Sequence, residues 1–327
     1  MRKGLMLLGI ALGGLLIVAA LGLAGVIAFG GPTPPPPLVS IRDAVLKRDR
    51  TDLPKRPARD QTTLAYRAYS AAAGPARGAA VLIHGSAGSG ADMHEIAKAL
   101  TMAGLDAYAP DLRGHGASGT RGDIAYIGQL EDDLADLLDE VDRRGAPARR
   151  ILIGHSSGGG FALRVAALPL SSRFVGSILL APYLGHDAPT ASPGERGWAN
   201  VGVPRLIGLA ILNQLGVRVL NGLPVVALAV DPAAVPDVTP AYSFRLRMNF
   251  APHRDWRRDI ADTRGPLNVL VGARDELFQA NLFAELFAAA PNARVELLAN
   301  IDHMGITDDP AALSAIAMEA VKLLANP

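Results

Sequence analysis

From Gln61 onward, short aliphatic and β-branched runs alternate with segments whose apolar residues recur at helical spacing. Residues 79–83, 105–110, 151–153, 174–184, 267–271 and 293–298 read as strands, and 62–70 as an early one. The runs at 79–83 and 151–153 are continuous rather than alternating, which marks strands covered on both faces. The intervening segments carry helical stripes: Met93, Ile96, Ala97 and Leu100; Ile127, Leu130, Leu134, Leu137, Leu138 and Val141; Phe161, Ala162, Val165 and Leu168. Residues 281–289 and 313–324 continue the pattern. Strand and helix in turn predict an α/β fold with a mostly parallel central sheet and flanking helices. Glu131, Asp132, Asp133, Asp136 and Asp139 are expected on a solvated helix face.

Two stretches depart from this alternation. After Met1-Arg2-Lys3 no charge occurs from Gly4 to Gly31, enough residues at about 1.5 Å each to cross a bilayer of about 30 Å. Residues 1–31 are therefore expected to be a transmembrane anchor. Gly22 and Ala24 would also suit a cleaved signal peptide, but the apolar run exceeds the roughly 7–15 residues of a signal core. Arg2 and Lys3 favour a cytoplasmic N-terminus and an extracytoplasmic main domain, periplasmic in a bacterium; Arg42, Lys47, Arg48 and Arg50 argue the other way. Pro32 to Pro37 is a stiff stalk, and 32–60 as a whole reads as a Pro-rich linker.

The second departure, 185–266, is expected to be a cap inserted between two core segments, 61–184 and 267–327. Its residues 203–230 are strongly apolar, broken by Arg205 and Arg218 into runs too short to span a bilayer. Helices lining an apolar pocket, with one face toward a membrane, and ordinary packing of the cap on the core are equal readings. Tyr242, Phe244 and Trp256 stand among Arg245, Arg247, Arg254, Arg257 and Arg258. These cations suit an anionic head group, or pairing with Asp255 and Asp259.

Composition narrows the chemistry. A net charge of +1 over 327 residues offers no basic field for nucleic acid. The chain has no cysteine, so thiolate metal sites and cysteine nucleophiles are out. The seven histidines lack close metal-ligand spacing, and no metal or cofactor is expected.

What remains is Gly154-His155-Ser156-Ser157-Gly158, between a strand and a helix. Gly-x-Ser-x-Gly in that setting fits a nucleophile elbow, a strained turn that lifts a serine above the sheet edge. A serine hydroxyl needs a base and an orienting acid. Asp275 follows the 267–271 strand, with Glu276 beside it and Asp187 after an earlier strand as rival acids; His303 follows the last strand. Ser157 begins the helix and is the poorer nucleophile. Carboxyl ends of parallel strands share one edge, so these distant residues are placed to converge.

The elbow, His84-Gly85, Asp111-Leu112-Arg113-Gly114-His115-Gly116, and a late Asp followed by His resemble the α/β-hydrolase family. Within it they resemble the branch of monoglyceride lipases, lysophospholipases and serine-aminopeptidase-like proteins, over about residues 61–326 outside the insertion. The resemblance implies Ser156, Asp275 and His303 as a catalytic triad, and the backbone N–H groups of Ser86 and Ser157 as an oxyanion hole. It implies no cofactor, and a small apolar or amphipathic ester as substrate. The same triad serves amidases, thioesterases and aminopeptidases, and a binding protein can keep the scaffold.

Overall fold

Residues 2–37, 53–192, 197–233 and 237–325 are described by the computed structural model. The charged segment 38–52, with Arg42, Lys47, Arg48 and Arg50, lies outside them.

The uncharged N-terminal stretch forms one helix, α1 (Arg2–Phe29), long and apolar enough to cross a membrane. Residues 31–37 follow without regular secondary structure. The linker reading ends too late. Lys55–Pro57 is an edge strand, β1, antiparallel to β2 (Thr63–Tyr69), and Arg56 within it is buried. Arg56 donates to the Asp133 carbonyl at 2.7 Å, a tie that no local pattern signals.

Ala79–Ile83 (β3) has no polar side chain and is buried along its whole length, as a central strand requires. A 3-10 turn and α2 (His94–Met102) lead to β4 (Asp106–Pro110), and α3 (Gln129–Arg143) to β5 (Arg150–His155). The elbow opens α4 (Ser157–Ala167), followed by β6 (Gly176–Leu180). After the insertion come β10 (Leu267–Gly272), α8 (Phe283–Phe287), β11 (Ala293–Leu298) and α9 (Pro310–Ala325). The sheet order is β1-β2-β4-β3-β5-β6-β10-β11. β4 through β11 pair in parallel, and β2 joins β4 antiparallel.

The insertion holds more than helices. Ala199–Val201 (β7), Pro224–Leu228 (β8) and Ala241–Ser243 (β9) form an antiparallel sheet of their own. α5 (Val203–Gln214) leaves β7, and α6 (Phe244–Asn249) and α7 (Trp256–Ala261) lead back to the core. The apolar stretch 203–230 thus contains a helix and a buried strand. A strand covered on both faces shows no alternation to distinguish it from helix.

The acids of α3 do not all face water. Asp133 is buried, and Arg113 bonds both its oxygens at 2.7 Å. Burial pushes the Asp133 carboxyl up, against the pull of Arg113. Glu131 meets Arg164 at 2.5 Å. Ile127 precedes α3 and is 41% exposed, so it is not on the helix's core face.

Candidate active site

The elbow's geometry follows from what its glycines allow. A Cβ on Gly154 would overlap the Gly158 carbonyl oxygen, and one on Gly158 would overlap the carbonyls of Ile83 and His84. Without side chains there, α4 packs against β3 and β5 closely enough to hold Ser156 at φ 54°, ψ −119°. Positive φ is rare for a residue with a Cβ and costs on the order of 1–3 kcal/mol. The surroundings secure it: the Ser156 N–H donates to the Leu180 carbonyl at 2.9 Å, and its own carbonyl accepts from Gly160 and Tyr183.

Ser156 Oγ lies 3.1 Å from His303 Nε2. His303 Nδ1 lies 2.8 Å from Asp275 Oδ2. All three residues are buried. The other Asp275 oxygen accepts from the backbone N–H groups of Leu277 and Phe278 at 2.9 and 2.8 Å. This carboxylate is therefore fixed at both ends.

Two further residues hold His303 by its backbone. Glu276, the rival acid, does not face the imidazole; its Oε2 accepts from the His303 N–H at 2.9 Å. His155 Nε2 donates to the His303 carbonyl at 3.1 Å. A carbonyl only accepts, which fixes the His155 tautomer. Burial, then the neighbouring His303, lowers the His155 pKa to about 3, so it stays neutral. Phe278 sets its ring edge-on to His303 at 5.0 Å. Side-chain bonds to backbone leave no periodic trace in sequence.

Ser86 and Ser157 line the same solvent-open pocket as Ser156. Among the described residues, no acceptor is found for the backbone N–H of either. The loop bearing Ser86 is gripped by the cap. Trp198 Nε1 donates to Ser86 Oγ at 3.0 Å, and the Thr239 N–H donates to the Ala87 carbonyl at 3.1 Å. Ala87, at φ 60°, donates its N–H to the Tyr242 hydroxyl at 2.6 Å. Tyr242 in turn donates to His115 Nε2 at 2.8 Å, with His115 Nδ1 directed at the Arg113 carbonyl. Burial, then His84, pushes the His115 pKa well down, so it remains an acceptor.

The rest of the pocket is apolar, with Val201, Val226, Leu228, Phe250, Leu277 and Phe278 among its walls. Among the described residues, the one charged side chain in its lining is Arg247, which stacks on Tyr183 and donates to its hydroxyl. Three other cap cations are engaged elsewhere. Arg245 pairs with Asp123 at 2.5 Å, Arg258 with Asp262 at 3.1 Å, and Arg257 stacks on Trp256. Asp259 pairs with His253 rather than with an arginine. Asp255 caps α7 through the Arg258 N–H. Among the described residues, no group of three or more potential metal ligands is assembled.

The architecture has counterparts. A family model described as serine aminopeptidase, S33, matches residues 74–309, from ahead of β3 through His303. A monoacylglycerol lipase of Mycolicibacterium smegmatis is 30% identical over 168 residues, 51% of this chain and 54% of that protein. The chain thus aligns with about half the length of that relative. The crystal structure of the monoacylglycerol lipase of Paleococcus ferrophilus superposes with a TM-score of 0.58 at 21% identity, covering 80% of this chain and 98% of that one. A soluble variant of the monoglyceride lipase of Saccharomyces cerevisiae, in complex with a substrate analog, gives 0.60 at 18%, covering 84% and 96%. At these identities the two structures speak for the fold, which is that of the α/β hydrolases. With 74–309 matched, the chain belongs to the serine aminopeptidase S33 family of α/β hydrolases.

Proposed function

We propose that this protein is a serine hydrolase that cleaves carboxylic esters of apolar, lipid-like acyl groups through an acyl-enzyme. The observation that carries the reading is the Ser156–His303–Asp275 line, 3.1 and 2.8 Å long, with Ser156 lining a largely apolar pocket. In this reading Ser156 Oγ attacks the ester carbonyl while His303 Nε2 takes its proton. The tetrahedral oxyanion is met by the Ser86 and Ser157 N–H groups; one such donor is worth about 3–4 kcal/mol of barrier. His303 then protonates the departing alkoxide, leaving an acyl group on Ser156. Water, deprotonated by the same imidazole, attacks the acyl carbon and returns free serine and acid. Asp275 keeps the proton on Nδ1 and stabilises the imidazolium.

Ester rather than peptide cleavage is favoured by what the pocket lacks. An aminopeptidase needs an acceptor for the substrate's N-terminal ammonium, and among the described residues the lining contains no carboxylate. Arg247 would instead repel a cation. α1 serves as a membrane anchor in this reading, with the main domain extracytoplasmic. The assay is hydrolysis of p-nitrophenyl esters from acetate to palmitate beside the matching p-nitroanilides. Faster turnover as the acyl chain lengthens is expected. Preference for acetate would remove the apolar-acyl assignment, and faster anilide than ester cleavage would remove the ester one.

A further inference from the structure

The end of α1 is docked on the cap. An α-helix leaves its last carbonyls without internal partners, and here α5 supplies them. Arg205 donates from Nε to the Ile27 carbonyl at 2.7 Å and from Nη2 to the Ala28 carbonyl at 2.9 Å. Its backbone N–H reaches the Gly30 carbonyl at 3.2 Å. A guanidinium there also meets the negative end of the helix dipole. Ile27 is buried, and Gly208 faces it with no room for a Cβ. Just beyond, the Thr33 N–H donates to Asn200 Oδ1 at 3.0 Å. Anchor helix and cap helix form one unit.

α5 turns its other side outward. Val203, Ile207, Ile211 and Leu215 recur every fourth residue and are 42–70% exposed, and Val219 beyond them is 85% exposed. Among the described residues outside α1, seven exposed large hydrophobic side chains fall within 203–220, while the other five are scattered. Between 203 and 217 the sole charge is Arg205, whose guanidinium is occupied by α1 and the Pro224 carbonyl. A contiguous patch of this kind marks an interaction surface.

We propose that the outer stripe of α5 lies in the bilayer beside α1, so that the cap rests on the lipid with Arg218 at head-group level. Continuity selects lipid over a second copy of the chain. Residues 12–29 of α1 are nearly all exposed and apolar, about 27 Å of helix at about 1.5 Å per residue. A bilayer that takes this span meets the helix clamped to its end, and amphipathic helices lie in that interface. Val201, which lines the pocket, is two residues ahead of α5, so the lipid contact adjoins the pocket wall. The inference rests on α1 spanning the membrane and not on the chemistry of Ser156.

The chain has no native cysteine, so single-cysteine nitroxide labelling is clean. Full-length protein is reconstituted in phosphatidylcholine–phosphatidylglycerol vesicles with labels at 17, 207, 211 or 215, and at 102 on α2 as an aqueous reference. Labels at 17, 207, 211 and 215 are expected to collide more with oxygen than with a water-soluble nickel chelate, and the label at 102 the reverse. Oxygen access at 17 with nickel access at 207, 211 and 215 overturns the inference while leaving the anchor standing. Nickel access at 17 overturns both. Spin–spin broadening in the singly labelled α5 variants means a second copy covers the stripe, which also overturns it. In Arg205→Gln, oxygen access at 211 is expected to fall while that at 17 persists. None of these readouts requires turnover.

Discussion

Replacing Asp275 with asparagine exchanges one carboxylate oxygen for an amino group, and the surroundings decide which one. Oδ1 accepts two backbone N–H groups, from Leu277 and Phe278, so the amide oxygen must stay there. The NH2 then faces His303 Nδ1 across the 2.8 Å now spanned by Oδ2. Nδ1 must accept, the ring proton moves to Nε2, and the nitrogen that should take the Ser156 proton is already protonated. Reaching the active tautomer sets donor against donor in a buried site. Losing a charge-assisted hydrogen bond costs about 1.5–3 kcal/mol and an unsatisfied buried donor about 1–3 kcal/mol. Together they place about 2.5–6 kcal/mol on the barrier, a fall in kcat of about 60-fold to 10⁴-fold at about 1.4 kcal/mol per decade. Steady-state hydrolysis of a mid-chain p-nitrophenyl ester measures it, with urea unfolding as a control for folding. An Asp275→Asn enzyme that folds normally and retains more than a tenth of its kcat refutes the tautomer reasoning.

Other expectations follow from the same contacts. Tyr242→Phe removes the acceptor of the Ala87 N–H; at about 1–3 kcal/mol for the stranded donor, kcat should fall about tenfold or more with KM little changed. An unchanged kcat would separate the cap from the oxyanion loop. Gly158→Ala drives a methyl into the Ile83 and His84 carbonyls, and a loss of about 1–3 kcal/mol or more is expected in urea unfolding. His155 titrates near 3 when folded and near 6.5 when unfolded. The unfolded chain therefore binds the proton more readily, and the neutral ring's contribution is complete above pH 6.5 and fades as pH falls toward 3. Between pH 7 and pH 5 it accounts for about 2 kcal/mol of lost stability. His155→Gln should shrink the pH 7 to pH 5 difference by that amount; an undiminished difference would place the titration elsewhere.

The central strands were legible because runs such as 79–83 and 151–153 are apolar without interruption and give way to glycine or a polar turn. β3 and β11 keep the bounds read from the sequence, 79–83 and 293–298. The elbow was legible because close packing of α4 on β3 and β5 demands glycine at fixed offsets from Ser156. What stayed hidden was non-local. Asp133 looks like a solvent-facing acid until Arg113 reaches it from another loop, and β1 is a strand only because β2 lies beside it. β8 hides in the apolar stretch of the cap, where burial on both faces erases alternation. Glu276 and His155 act on the His303 backbone, and pairing to main-chain atoms imposes no pattern on neighbouring residues.

The most direct measurement of the central claim is covalent. Full-length protein treated with a fluorophosphonate is digested and its adduct mapped by mass spectrometry. A single phosphonyl group on the peptide bearing Ser156, absent in Ser156→Ala and strongly slowed in His303→Ala, is the expected result. Adduct on Ser157 or any other residue, or none on folded protein that still hydrolyses esters, contradicts the account.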